Sequence, residues 1–169
     1  MLVNPRTVID NGWVRFPSNV DVEKFIQPNA LDFTIDSLYT VAENVFKITA
    51  DDQKQHRGVS SVPLTDGHWT LYRGVYDMAS EMYVEVPEGH AAQLVTRSSF
   101  VRNGLYILSG LYDSGFKGPI GCVLHNRCGE AWIEPGTRIG QIIFVDSQTA
   151  KQYAGGYSTN EGEHWTTKQ

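Results

Sequence analysis

Residues 97–113, RSSFVRNGLYILSGLYD, set an arginine and two hydroxyls a short way ahead of an acid among glycines. The guanidinium of Arg97 offers a planar fork of N–H donors that suits phosphate oxygens, and Ser98 and Ser99 add two hydroxyls. Asp113, a hairpin's length later, could take a proton from water. Such a pairing would hold a polyphosphate and do chemistry beside it. The same Arg-Ser-Ser at a strand end also makes an ordinary solvated turn.

Asp113 sits in residues 110–118, GLYDSGFKG, where flanking glycines would let a water and a phosphorus atom approach closely. Asp and Gly are equally the residues of a plain hairpin turn. Gln141 interrupts the apolar run 136–143, GTRIGQII. On alternation it shares a face with Ile139 and Ile143, so its amide is expected to be buried and to need a partner, in a ligand or a neighbouring subunit. Residues 155–159, GGYST, offer a backbone-rich loop with an aromatic ring that could stack on a base, or a disordered tail. The histidines are scattered outside any zinc spacing, and the usual phosphate loops and the serine hydrolase elbow are missing.

The elements that must position these residues read as β. Runs rich in Val, Ile, Tyr, Phe and Thr recur at 33–41, 69–72, 81–86, 91–96, 119–125, 131–134 and 138–145, between Gly, Pro, Asn and Asp. Met82, Val84 and Val86 fall on one face, with Glu85 opposite. Residues 19–25 and 146–153 could each form a turn or two of helix. Many short strands at this spacing suggest a sandwich, jelly roll or barrel. A chain of 169 residues is most economically one domain, 1–152, with the polar stretch 51–68 as a surface excursion and 153–169 as a C-terminal arm.

The net charge of −5 provides no global field toward nucleic-acid backbones. No apolar run approaches the roughly 20 residues of a membrane helix, and the first residues lack a signal segment, so a cytoplasmic protein is expected. Cys122 and Cys128 are expected to be free thiols, Cys122 as a small core residue.

Five segments in order carry a resemblance to the dUTPase and dCTP deaminase superfamily. Residues 26–32, IQPNALD, are similar to its first motif in deaminase-like form. LVTRSS at 94–99 is similar to the second motif, extended by Arg102-Asn103-Gly104-Leu105 as in deaminases. Residues 110–118 are similar to the third motif, 136–141 to the fourth, and GGYST to the fifth. The resemblance implies a distorted β jelly roll of the dUTPase type. It also implies a homotrimer with shared active sites, in which the C-terminal motif closes over a neighbour's site.

Deaminases carry a glutamate in the strand after the third motif, where this chain has Val123. An apolar side chain cannot do acid–base work, so deamination by that route is not expected. What the resemblance then implies is a Mg²⁺-dependent nucleoside triphosphate pyrophosphatase acting on dUTP. Asp113 would activate water, and Arg97, Ser98, Ser99 and Gln141 would bind phosphate oxygens. Phe116 would pack on the sugar, and Tyr157 of a neighbouring subunit would stack over the base. Arg102, Gly110 and Ser158 fall within the same substrate-binding motifs, and Asp32 would touch the water shell of the ion. The segment between Ser99 and Asp113 is shorter than in either branch and lacks the branch's asparagine, and the fifth motif lacks its leading arginine. These departures keep two alternatives open: a pyrophosphatase for dCTP or a modified pyrimidine, and a nucleotide-sensing or protein-binding relative without turnover.

Overall fold

The computed structural model describes residues 1–160 and 163. Helix α1 (Pro5–Asp10) precedes β1 (Val14–Arg15), a single 3₁₀ turn (Val22–Phe25), β2 (Leu31–Ile35) and β3 (Ser37–Val41). Then come β4 (Lys47–Ile48), β5 (Lys54–Gln55), β6 (Val59–Ser61), β7 (Trp69–Leu71), β8 (Gly74–Glu85) and β9 (His90–Thr96). The short helix α2 (Ser98–Val101) leads into β10 (Leu105–Leu108), β11 (Lys117–Asn126), β12 (Ala131–Ile133) and β13 (Thr137–Asp146).

The large sheet runs β10-β11-β8-β3-β6, with β1 also on β8, and faces a sheet ordered β2-β13-β9. All these pairings are antiparallel. Phe33, Ile142 and Phe144 from one sheet and Met78, Ile120 and Leu124 from the other meet in a single core cluster. Two antiparallel sheets closed on one core make the distorted jelly roll.

The run 33–41 divides into two strands in different sheets. Asp36 makes the corner: its N–H donates to Ala79 (2.9 Å). Its carboxylate accepts from Thr34 Oγ1 (2.6 Å), Ser80 Oγ (3.1 Å) and the Glu81 N–H (2.8 Å). The helical expectations fare differently. Residues 19–25 hold just the 3₁₀ turn, and 146–153 continue from the end of β13 without a helix. Residues 51–68 are exposed at nearly every position.

Gly140 lies where β13 bulges, and a Cβ there would sit 2.5 Å from ring carbons of the fully buried Phe33 and 2.8 Å from Ile107. Overfilling such a site costs about 1–3 kcal/mol. Gly140→Ala should therefore lower the urea midpoint at an unchanged slope, which equilibrium unfolding would read directly.

Candidate functional site

Strand β9 runs into Arg97, whose backbone N–H donates to the Ile139 carbonyl (3.1 Å). Its Nη1 donates to the Arg138 carbonyl (2.9 Å), so the guanidinium is drawn toward β13. Ser98 and Ser99 are exposed on the first turn of α2, and Arg102 is exposed at its end. Gln141 sits on β13 opposite Val95 of β9 and Asp32 of β2. It shares a face with Ile143, as alternation suggests, but that face is half-buried, and the buried Ile139 is not on it. The bulge between Arg138 and Gly140 shifts the phase, so Ile142 and Phe144 point into the core and Gln141 is half-buried on the other face.

The Gln141 amide finds its partner within the chain, donating to Asp32 Oδ1 (3.0 Å). Asp32 has no exposed surface, and its other oxygen accepts from Gln27 (3.1 Å) and from Arg138 (3.2 Å). Within the chain the carboxylate holds β2, β13 and the Arg97 end of the site together. A buried carboxylate of this kind must be paired and hydrogen-bonded to be tolerated.

Asp113 is placed by its neighbour. The backbone of Tyr112 exchanges two hydrogen bonds with Ala92 of β9 (2.8 and 2.9 Å). Its hydroxyl donates to the Gly121 carbonyl (2.6 Å) and accepts from the Gly121 N–H (3.1 Å). That pair fills the gap left where β11 slips against β8 at Pro119, a residue with no N–H to give. Burial pushes the Tyr112 hydroxyl well above the usual range, so it stays a neutral donor and acceptor. A turn then returns the chain from Asp113 to Phe116 (3.0 Å), with Gly115 supplying the positive φ of 87°.

Two recesses flank this hairpin and share Leu111 and Tyr153. One, of about 470 Å³, is polar and holds the exposed Asp113 with His90, Ser114, Thr149 and Gln152. The other, of about 400 Å³, is largely apolar, bounded by Leu108, Gly110, Phe116, Cys122 and Val123. Both are of the size that small ligands occupy. Phe116 is buried edge-on between Tyr112 (4.9 Å) and Tyr153 (5.5 Å). Gly118 must stay small, since a Cβ there would lie 3.0 Å from Phe116.

Residues 153–159 fold back on their own chain. Tyr153 N–H donates to Ser114 (2.8 Å), Thr159 N–H to Lys117 (3.0 Å), and Tyr83 Oη to the Thr159 carbonyl (2.8 Å). Tyr157 lines the apolar pocket of its own chain, with its ring half exposed. Ser158 Oγ accepts from Lys117 N–H at 3.4 Å. The rest of the expected arm, 161–162 and 164–169, lies outside the described residues.

Arg97, Ser98, Ser99 and Gln141 are thus brought together, and so are Asp113, Gly110, Phe116 and Tyr157, but the two groups are apart. Tyr112 faces Ala92, five residues before Arg97 on the extended β9. At about 3.3 Å per residue the separation is roughly 16 Å. Side chains stand across a strand and not along it, and Arg97 is turned toward β13, so they do not close that gap. Among the described residues, no three His, Cys, Asp or Glu side chains gather as a cation site.

Sequence reasoning missed Asp77, a carboxylate 6% exposed on β8 that lines the apolar pocket. Strand β8 also carries Ser80, Glu81 and Glu85, so Asp77 does not stand out from its neighbours in the sequence.

The description of a dCTP deaminase-like family fits residues 9–147. The chain is 30% identical over 143 residues to a probable deoxyuridine 5'-triphosphate nucleotidohydrolase of Archaeoglobus fulgidus, covering 82% of this chain and 83% of that protein. A protein of Methanosarcina acetivorans with the same name is 28% identical over 144 residues, covering 82% and 83%. The fold is similar to that of a 2'-deoxycytidine 5'-triphosphate deaminase from Agrobacterium tumefaciens (TM-score 0.64, 17% identity). That likeness covers 85% of this chain but 47% of the deaminase chain, so this chain spans about half of it. With four-fifths of its length inside the family's pattern and its strands in the same fold, the chain belongs to the dCTP deaminase-like family.

Proposed function

We propose that the chain hydrolyses dUTP to dUMP and pyrophosphate. The observation that carries this reading is the position of Asp113. It stands in the polar recess next to an apolar, base-sized pocket, while position 123 in the pocket wall is the apolar Val123. The acid therefore serves the phosphates and not the base. Asp113 takes a proton from water as the water oxygen attacks the α-phosphorus. The bond from that phosphorus to the bridging oxygen breaks, pyrophosphate leaves, and the base is untouched. Phe116 packs on the sugar and Tyr157 covers the base.

Arg97, with Ser98 and Ser99, grips phosphate oxygens. The separation of this grip from Asp113 supports a homotrimer in which the grip of one copy faces the acid of another. Magnesium would supply neutralisation of charge on the triphosphate; among the described residues no three His, Cys, Asp or Glu side chains gather to hold it. The curated archaeal relatives named as deoxyuridine triphosphate nucleotidohydrolases support the substrate.

Pyrophosphate release measured across the deoxynucleoside triphosphates, with magnesium and with a chelator, tests the proposal. Release from dUTP that stops on chelation is the expected result. Nucleotide binding without any release of pyrophosphate would overturn it.

A further inference from the structure

Residues 42–58 leave the large sheet between β3 and β6 and return to it. The Ala42 N–H donates to the Gly58 carbonyl (2.9 Å), which carries the β3–β6 ladder one step past Val41 and Val59 and closes the base of the excursion. Beyond that base β4 pairs with β5 around a turn in which Asp52 takes a positive φ of 61° and the Thr49 hydroxyl accepts from the Gln53 N–H (3.1 Å). Lys54 donates to Asp52 (3.0 Å), and Arg57 Nε donates to the Asn44 carbonyl (2.8 Å). The segment is therefore a folded hairpin, although Val45, Phe46 and Ile48 stay exposed and none of its described side chains enters the core cluster.

An isolated two-stranded hairpin is marginal in water, so this one needs a contact that holds it in place. Among the described residues 42–58, His56 alone is half-buried. Its ring neighbours Phe46 (centroids 6.2 Å apart) and Tyr157 of the C-terminal arm (6.5 Å, planes at 86°). The second contact is edge-to-face, an arrangement aromatic rings prefer at centroid distances of about 4.5–7 Å. Asp52 first, and then the Tyr153 and Tyr157 hydroxyls, push the Lys54 ammonium up, so β5 meets the arm at a second point. The arm's backbone is fixed at Tyr153 by Ser114 and at Thr159 by Lys117 and Tyr83. Between those bonds the Tyr157 ring is half exposed, and His56 is what the hairpin brings to it. We infer that His56 is a positioning residue, carried to the arm by the hairpin so that its ring braces Tyr157 over the apolar pocket. The inference rests on the pyrophosphatase reading and deepens it by giving residues 42–58 a part in substrate binding. Tyr157 covers the base alike in the bound substrate and in the transition state, so bracing it tightens binding without entering the chemistry.

His56→Ala removes the ring, and His56→Phe keeps an edge for Tyr157. Neither touches the core cluster, so both should keep the parent's melting temperature. In steady-state assays of pyrophosphate release from dUTP, His56→Ala should raise KM by about two- to tenfold, the scale of one aromatic pair, with kcat unchanged. His56→Phe should restore the parent KM. An unaltered KM in His56→Ala, a fall in kcat at constant KM, or a loss that His56→Phe shares would each overturn the inference. Hydrogen exchange of the nucleotide-free protein gives a readout that needs no turnover. The Tyr157 and Thr159 amides, bonded to Tyr153 Oη (3.3 Å) and the Lys117 carbonyl (3.0 Å), should exchange about two- to tenfold faster in His56→Ala. They should return to the parent rate in His56→Phe, with the β8–β11 ladder unaffected throughout. Unchanged exchange at both amides would overturn the inference. If the parent hydrolyses no dUTP, the pyrophosphatase reading falls. The brace then stands if those two amides speed up in His56→Ala alone, and falls if they do not.

Discussion

Asp113→Asn should lower kcat for dUTP by about 10²- to 10⁴-fold, the range for a lost general base, and leave the affinity for dUTP nearly unchanged. The amide keeps the size of the carboxylate but cannot take up a proton, so the attacking water stays neutral. The fold should not suffer. Asp113 is exposed, and what fixes the hairpin is the backbone and hydroxyl of Tyr112, the Ser114 bonds to His90 and Thr149, and the turn at Gly115. Substitutions at exposed positions away from such features usually change stability by no more than about 0.5 kcal/mol. Single-turnover rates and calorimetric binding, with melting temperature as the control, would separate the two effects. Unchanged kcat would remove Asp113 from the chemistry and with it the proposed reaction.

The strand pattern was legible because burial alternates cleanly. In β11 every second residue from Gly118 to Asn126 is buried, as period two requires. The site motifs were legible as types of residue, but their partners were not. Asp32 and Gln141 are 109 positions apart, and their contact depends on a bulge at Gly140 that no alternation rule foresees. Asp36 likewise ends one sheet and starts the next through contacts with residues 80 and 81. Helix α1 was written locally, in an Asn4 side chain capping the Arg6 N–H (2.8 Å) and a proline at the first helical position, and a reading focused on strands passed over it. Asp77 was passed over because β8 also carries Glu81 and Glu85, so one acid among three marks no motif. Its meaning comes from the pocket that Leu108 and Val123 build around it.

The separation within one chain leads to the second large effect. Arg97→Gln keeps a donor for the Arg138 carbonyl but loses the charged fork that grips phosphate, and should cost on the order of 10²-fold or more in kcat/KM. Asp113→Asn loses the base. Neither variant alone should turn over dUTP appreciably. Denatured together in equal amounts and refolded, they should recover about a quarter of the parent activity. A site that draws Asp113 from one copy and Arg97 from another finds both intact in one of every four random pairings, about the recovery expected of a closed symmetric assembly. The roughly 16 Å along β9 from Ala92, which faces Tyr112, to Arg97 is the observation behind this exchange: rotating either side chain within one chain does not bring Arg97 and Asp113 to one phosphorus atom. Refolding each variant separately and mixing afterwards, under conditions where subunits do not exchange, should give no recovery. Activity absent from the co-refolded mixture, with its oligomeric state intact by light scattering, would mean that each chain completes its own site. The arm that already closes Tyr157 over its own pocket would then have to carry the grip as well.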